Sequence, residues 1–125
     1  MMGFLASLHE VLRGLIVVGG AAGLVVSLIR GRRTPEPPSR PLSRLFLAFL
    51  DTGWALGWIL WLVDRPPGRL VHGIVMTLAV VLGHVLFVLA RTREPLDSGR
   101  YALAYGLTLV ALLLGHLTLP GGGLP

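Results

Sequence analysis

Four long apolar runs, separated by linkers rich in arginine and proline, constrain the fold of this 125-residue chain more than any other feature. Each run is long enough to cross a hydrocarbon core of roughly 30 Å as an α-helix. Only helices and closed barrels satisfy their backbone hydrogen bonds in lipid, and the runs lack the two-residue alternation of barrel strands. The sequence therefore predicts an all-α integral membrane four-helix bundle that forms one membrane domain over residues 1–125. The predicted helices cover residues of about 4–29, 45–63, 70–90 and 101–119.

The composition supports a membrane protein and excludes several kinds of chemistry. Hydrophobic residues make up 54% of the chain and charged residues only 14%, against about 25% charged residues in a typical soluble domain. There is no cysteine, which excludes disulfides, thiolate metal sites and thiol catalysis. The chain also lacks phosphate-binding loops, nucleophile elbows and zinc-protease motifs. We therefore expect no catalytic activity from this chain on its own.

The basic residues, all of them arginines, predict the orientation in the membrane. The linkers 30–44 and 91–100 hold five and three of the 11, the linker between the second and third helices holds two, and the C-terminal tail holds none. Loops rich in arginine stay in the cytoplasm. We expect both linkers to be cytoplasmic and both termini to lie outside a bacterial inner membrane, on its periplasmic or extracellular side. Because the arginines do not line one face, no nucleic acid is expected as a partner.

Three histidines are predicted at the outer ends of three different helices. With both termini outside, His9, His72 and His116 share the outer leaflet, and Arg13 lies one turn from His9 on the same face. Imidazole ligates iron and copper, and two histidines on facing helices can bind a haem iron from both sides. We expect His9 and His72 to be the metal ligands of haem b, with His116 as the alternative ligand and Arg13 near a propionate. Copper is the alternative cofactor, and histidines that merely sit at headgroup level are the structural alternative.

A second polar pair is predicted in the inner leaflet. Asp51 and His84 each lie about six residues from the inner end of their helix, so a rise of about 1.5 Å per residue places them at the same depth. A carboxylate in lipid costs several kcal/mol unless it is paired. We expect Asp51 and His84 to be in contact. That contact has two interpretations, a structural hydrogen bond between helices or a role with protons or a quinone.

Small residues four positions apart occur in every predicted helix, and such pairs let helix backbones approach closely. They favour a compact bundle but leave open whether the partner helix belongs to this chain or to another. The pairs are Gly19 with Gly23, Gly53 with Gly57, Ala79 with Gly83, and Ala102 with Gly106.

Three stretches resemble a family of small four-helix bacterial membrane proteins that are sometimes labelled cytochrome b-like. They are "LHEVLRGLIV", "DTGWALGWILWLV" and "VHGIVMTLAVVLGH". The resemblance covers most of the chain and implies roles for His9, His72 and His84. Val71 and Gly14 depart from the family pattern, in which an acid and an aromatic residue are common at these places. The residues that carry the resemblance are His9, Arg13, Asp51, Gly57, His72, Met76 and His84.

These observations lead to three functional expectations. The first is a membrane-integral protein that binds haem b and transfers electrons as a subunit or partner of a respiratory complex. The second is a structural accessory subunit without a cofactor, and the third is a copper-handling membrane protein. In each case the expected partners are the lipid bilayer and other membrane subunits or further copies of the chain, with a quinone as an additional candidate.

Overall fold

The described part of the chain forms four α-helices, as the sequence predicts. The computed structural model describes residues 1–33, 40–92 and 98–119. Each helix is long and apolar enough to cross a membrane, so the predicted all-α, four-helix character is confirmed. The helices are α1 (Met2–Arg33), α2 (Arg40–Asp64), α3 (Arg69–Thr92) and α4 (Ser98–Leu117).

The helices extend further into the linkers than the apolar runs do. α1 continues to Arg33 rather than 29, and α2 begins at Arg40 rather than 45. Pro41 does not prevent this, because the amide hydrogen that proline lacks has no helical acceptor in the first turn. An apolar run marks the part of a helix that suits lipid, whereas a helix continues into polar residues as long as its backbone bonds are made. The middle of each long linker and the tail beyond 119 lie outside the described residues.

A tight turn joins α2 to α3. Arg65 adopts a left-handed backbone conformation with φ of 43°, and its N–H donates to the carbonyl of Trp61 at 2.7 Å, which closes the last turn of α2. Pro66 follows and cannot extend the helix. Gly68, with φ of 79°, supplies a second positive φ without steric cost, and α3 begins at the next residue.

The four helices form an antiparallel ring. α1 packs against α2 and α4, and α3 packs against α2 and α4, whereas the backbones of the diagonal pairs stay further apart over the described ranges. Long side chains still reach across the bundle, since the ring centroid of Phe46 on α2 lies 5.3 Å from that of Tyr105 on α4. One end of the bundle, here called the turn end, carries the start of α1, the α2–α3 turn and the end of α4. The opposite end, the linker end, carries Arg33, Arg40, Thr92 and Ser98.

An aromatic cluster fills the bundle toward the linker end. The ring centroid of Phe87 lies 4.8 Å from that of Tyr105 and 5.8 Å from that of Phe46, and Tyr101 stacks edge-on against Phe87 at 6.3 Å. All four side chains are almost fully buried. Tilted and edge-to-face ring contacts of this kind add about 0.5–1.5 kcal/mol beyond the area they bury, so the cluster stabilises this half of the bundle.

The outward surface of the bundle is apolar. Val18 is 68% exposed and Leu78 is 64% exposed, and both stand in the middle of their helices. A soluble protein rarely exposes large contiguous apolar patches. Together with the length of the helices, this distribution gives the chain the character of a multi-pass membrane protein.

Several of the predicted small-residue pairs provide close contacts within this chain. A methyl group added at Gly23 would overlap the phenol ring of Tyr105 on α4. A methyl group added at Gly83 would lie 3.2 Å from Thr108 on α4 and 3.4 Å from Leu50 on α2. The structure therefore answers the question that the sequence left open for these glycines, because their partners are helices of the same chain.

We expect Gly23→Ala to lower the free energy of unfolding by about 1–3 kcal/mol, because the buried Tyr105 ring cannot move aside without disturbing the aromatic cluster. Gly14→Ala is the matched control, since an added methyl group there meets nothing within 4 Å. Its effect should be at most about 1 kcal/mol and stabilising, from helix propensity. Equilibrium unfolding in mixed detergent micelles measures both, and equal effects of the two variants would contradict this packing.

Candidate functional site

Polar side chains gather at the turn end of the bundle. His9 on α1, His72 on α3 and His116 on α4 lie in this region together with Arg13, and they are close enough to interact electrostatically. They share this region because alternate helices run in opposite directions, so positions near the start of α1 and α3 meet positions near the end of α4. Each imidazole nevertheless has a different environment.

His9 occupies a groove on α2 that two glycines create. The His9 ring lies beside the backbone carbonyl of Gly53, and a methyl group added at Gly57 would lie 3.1 Å from its Cε1 atom. Ile16, two turns further along α1, contacts the same surface at Gly53. The Nδ1 atom of His9 is buried and has no hydrogen-bond partner among the described residues. His9 therefore has a buried nitrogen without a hydrogen-bond partner where α1 meets α2 in the described part of the chain.

His72 is oriented by the C-terminal end of α4. Its Nδ1–H donates to the carbonyl of Gly115 at 2.7 Å. Carbonyls in the last turn of a helix have no regular partner, and here the amide of Thr118 also bonds to the same oxygen at 3.2 Å. Because a carbonyl can only accept, Nδ1 must carry the proton, and in the neutral ring Nε2 keeps its lone pair. His72 thus has the tautomer of an imidazole prepared to ligate a metal through Nε2.

His116 has the opposite arrangement. The Nη1 atom of Arg13 lies 3.5 Å from Nδ1 of His116, and since a guanidinium can only donate, Nδ1 accepts and Nε2 carries the proton of the neutral ring. Nη2 of Arg13 also donates to Glu10 at 2.5 Å. His116 is therefore a poorer ligand than His72 in this arrangement, and Arg13 already has one carboxylate partner.

The three histidines do not form a single metal site. Within residues 1–33, 40–92 and 98–119 there is no group of three or more His, Cys, Asp or Glu side chains placed to hold one ion. Met76 contributes no sulfur ligand here, because its Sδ atom packs against Gly115. The copper interpretation stays a prediction to which the packing adds no support.

The structure brings Asp51 and His84 together between α2 and α3. The Nε2–H of His84 donates to Oδ1 of Asp51 at 2.7 Å. The side chains are 43% exposed for His84 and 49% exposed for Asp51, so the pair lies at the surface of the bundle and not in its centre. This geometry accommodates a structural role and a role toward a bound molecule equally.

Sequence reasoning missed Thr77, which organises the same face. Its hydroxyl donates to the carbonyl of Gly73 at 2.8 Å and accepts from the indole N–H of Trp54 at 2.8 Å and of Trp58 at 3.1 Å. A threonine in an apolar helix normally bonds only its own backbone, so Thr77 alone carries no signal. Trp54 and Trp58, four residues apart, do carry one, because a tryptophan away from water needs an acceptor for its N–H.

Compared with protein-family models, with curated proteins and with solved structures, the chain matches none of them. The likeness to the cytochrome b-like family therefore depends on the short stretches named above. The shared character that the structure supports is the presence of four helices.

The hydrogen bonds of His72 and His116 predict different tautomers for the two rings. We expect His72 to carry its proton on Nδ1 and His116 on Nε2, because Gly115 can only accept and Arg13 can only donate. Nitrogen-15 NMR of histidine-labelled protein in lipid, with His72→Gln and His116→Gln used for assignment, distinguishes the two tautomers. An Nε2–H tautomer at His72 would mean that Gly115 does not orient this ring.

Proposed function

We propose that this protein binds haem b through His9 and His72 and transfers electrons in a membrane. The observation that carries the proposal is the bond from Nδ1 of His72 to the carbonyl of Gly115. Histidines that ligate metals usually donate their other N–H to a carbonyl or carboxylate, which fixes the ring and strengthens the ligand. His9 also lies beside a backbone carbonyl, that of Gly53, but its Nδ1 makes no hydrogen bond over the described residues.

His9 is the complementary ligand because it lies on the helix diagonal to α3. Diagonal helices of a bundle leave the central space between them, and bundles build cofactor sites from side chains that face one another across it. Nδ1 of His9 is buried and has no hydrogen-bond partner within the described ranges, as expected of a side chain whose partner is a bound cofactor. Gly57 supports the assignment, since a side chain there would push against the His9 ring.

When bound, haem b supplies a reversible one-electron carrier, and the remaining work belongs to this chain. His9 and His72 would hold the iron, and Gly115 keeps the His72 ring oriented. Arg13, at the same end, provides positive charge for a propionate, although it must divide its donors with Glu10. The buried aromatic cluster supports the bundle from the opposite end, which keeps the two histidines at a constant separation.

The expected location is a bacterial inner membrane, and the expected partner is a respiratory complex. The arginine-rich linkers favour a cytoplasmic linker end and an outer turn end in a bacterial inner membrane, so the histidine cluster would face the outer side. A small electron carrier without catalytic motifs needs a donor and an acceptor, which favours a subunit or partner of a respiratory complex. The resemblance of the three short stretches to cytochrome b-like proteins supports the same assignment.

A structural accessory subunit without a cofactor is the second candidate. It is favoured by the partial exposure of Asp51 and His84, because polar groups exposed at this depth suit a contact with a neighbouring subunit. In that case the histidines are interhelical hydrogen-bond donors and acceptors, as His72 is to Gly115.

Haem binding is tested by a reduced-minus-oxidised visible spectrum of detergent-purified protein expressed with a haem supply. We expect a sharp b-type α-band that is lost in His72→Ala and in His9→Ala. His84→Ala is the matched control, because it removes an imidazole from a different part of the bundle and should keep the band. A colourless, folded wild-type protein would refute haem binding and favour the accessory subunit, whereas a band that survives both outer substitutions would refute His9 and His72 as the ligands.

Orientation is tested with single cysteines, since the chain has none of its own. Pro67→Cys stands in the exposed α2–α3 turn and Thr92→Cys stands exposed at the linker end. We expect a membrane-impermeant maleimide to label Pro67→Cys in intact spheroplasts and to label Thr92→Cys only after permeabilisation. The reverse pattern would place the arginine-rich linkers outside.

A further inference from the structure

Asp51 and His84 lie on the outer surface between α2 and α3, here called the α2–α3 groove. Both stand well inside helices that are long and apolar enough to cross a membrane. At a rise of about 1.5 Å per residue, Asp51 lies about 16 Å from the start of α2 and about 20 Å from its end. His84 lies about 12 Å from the linker end of α3 by the same measure. Both side chains are nearly half exposed, so they face outward toward lipid. An exposed carboxylate at this depth costs several kcal/mol unless something polar covers it.

Asp51 and His84 each have a second polar atom that is free to form a hydrogen bond. Nε2–H of His84 donates to Oδ1 of Asp51. The remaining atoms, Nδ1 of His84 and Oδ2 of Asp51, make no hydrogen bond to another described residue, and neither is a buried atom. α2 and α3 also share the least extensive of the four helix contacts. The backbones of α2 and α3 are therefore the least closely packed neighbours in the described bundle, and this surface carries polar atoms without a partner.

An aromatic ring borders the groove on the turn side of the pair. Trp54 follows Asp51 by one turn on α2 and is 36% exposed, and its N–H is held by Thr77 on α3. Between Thr77 and His84 on the same face of α3 stands Val81, which is exposed. On α2, Ala55 is exposed one turn from Asp51. The Asp51–His84 pair thus lies beside the Trp54 indole, which Thr77 holds in place. Small or branched apolar side chains stand beside them.

The chemistry of His84 selects the kind of ligand. With Nε2 anchored on Asp51, Nδ1 donates when the ring is protonated and accepts when the ring is neutral. A molecule that presents a carbonyl in one state and a hydroxyl in the other can bind to both forms. It must also be planar enough to lie against Trp54 and apolar enough to reach this depth. Phospholipid headgroups do not meet the last condition, whereas quinones and quinols meet all of them.

We propose that the α2–α3 groove binds the head group of a lipid-soluble quinone, with Nδ1 of His84 bonded to a ring oxygen and the ring beside Trp54. Asp51 anchors the imidazole and is a positioning residue. The site lies near the linker end, away from His9 and His72, and the proposal does not depend on haem, because every contact that supports it is made in the protein alone.

The test uses the full-length protein in lipid nanodiscs with one copy per disc and Trp54 as the only tryptophan, after Trp58→Phe and Trp61→Phe. Ubiquinone-1 is added and the fluorescence of Trp54 is followed. We expect quenching that saturates with quinone content. His84→Ala and Asp51→Leu should weaken the apparent affinity about tenfold or more, because the first removes the bond to the quinone and the second removes the acceptor that orients the imidazole. Thr52→Val, at the same depth, should have no effect, because the Thr52 hydroxyl already donates to Ala48 at 2.7 Å.

A second measurement keeps the proposal testable if a variant fails to fold. This measurement uses the protein that retains His84 and Asp51. Prenylbenzene, which has no ring oxygens, should not compete with ubiquinone-1 for binding, whereas a prenylated quinol should. Quenching that rises linearly without saturation, or that prenylbenzene relieves, would overturn the proposal. It would also be overturned if Val81→Cys formed disulfides between copies in discs that hold two, because a second copy would then cover the groove. Failure of the haem experiment changes none of these outcomes.

Discussion

Close approach of helix backbones is the constraint on which the rest of the structure depends. In the proposed membrane setting, lipid would solvate apolar side chains as well as a neighbouring helix does, and burial of apolar surface would contribute little to holding these helices together. What holds them is packing at glycines and a small number of hydrogen bonds. Gly53 and Gly57 admit the surface of α1 that carries His9, and Gly23 admits the ring of Tyr105. These contacts set the separations between helix axes, and hence which polar atoms can meet.

The two ends of the bundle differ in the residues that they carry. Toward the linker end, Phe46, Phe87, Tyr101 and Tyr105 pack into one buried cluster. Toward the turn end lie three partly buried imidazoles, the partly exposed guanidinium of Arg13 and a buried nitrogen without a partner among the described residues. A bundle with apolar packing throughout would be more stable, because hydrogen bonds only partly offset the desolvation free energy of each buried polar group. These polar groups lower stability and are concentrated at the turn end, which favours a functional role for that end.

The hydrogen-bond partner, and not the residue type, determines what each histidine can do. Gly115 accepts from His72 and leaves Nε2 with a lone pair, whereas Arg13 donates to His116 and leaves Nε2 protonated. Asp51 anchors His84 at Nε2 and leaves Nδ1 open to the groove. One kind of side chain thus yields an imidazole with a free Nε2 lone pair at His72, a hydrogen-bond acceptor for an arginine at His116, and an imidazole with an open Nδ1 at His84.

The sequence by itself determined the four helices of the described ranges and the position of each polar residue along its helix, because long apolar runs form helices with a fixed rise per residue. It could not determine the helix ends at Arg33 and Arg40, since apolar runs mark the lipid and not the backbone bonds. The tertiary structure alone decided that α1 and α3 are diagonal, that Asp51 and His84 face outward, and that Thr77 joins two tryptophans. Those facts depend on how each helix is rotated about its axis, and that rotation is set by contacts between residues distant in sequence, such as His9 against Gly57.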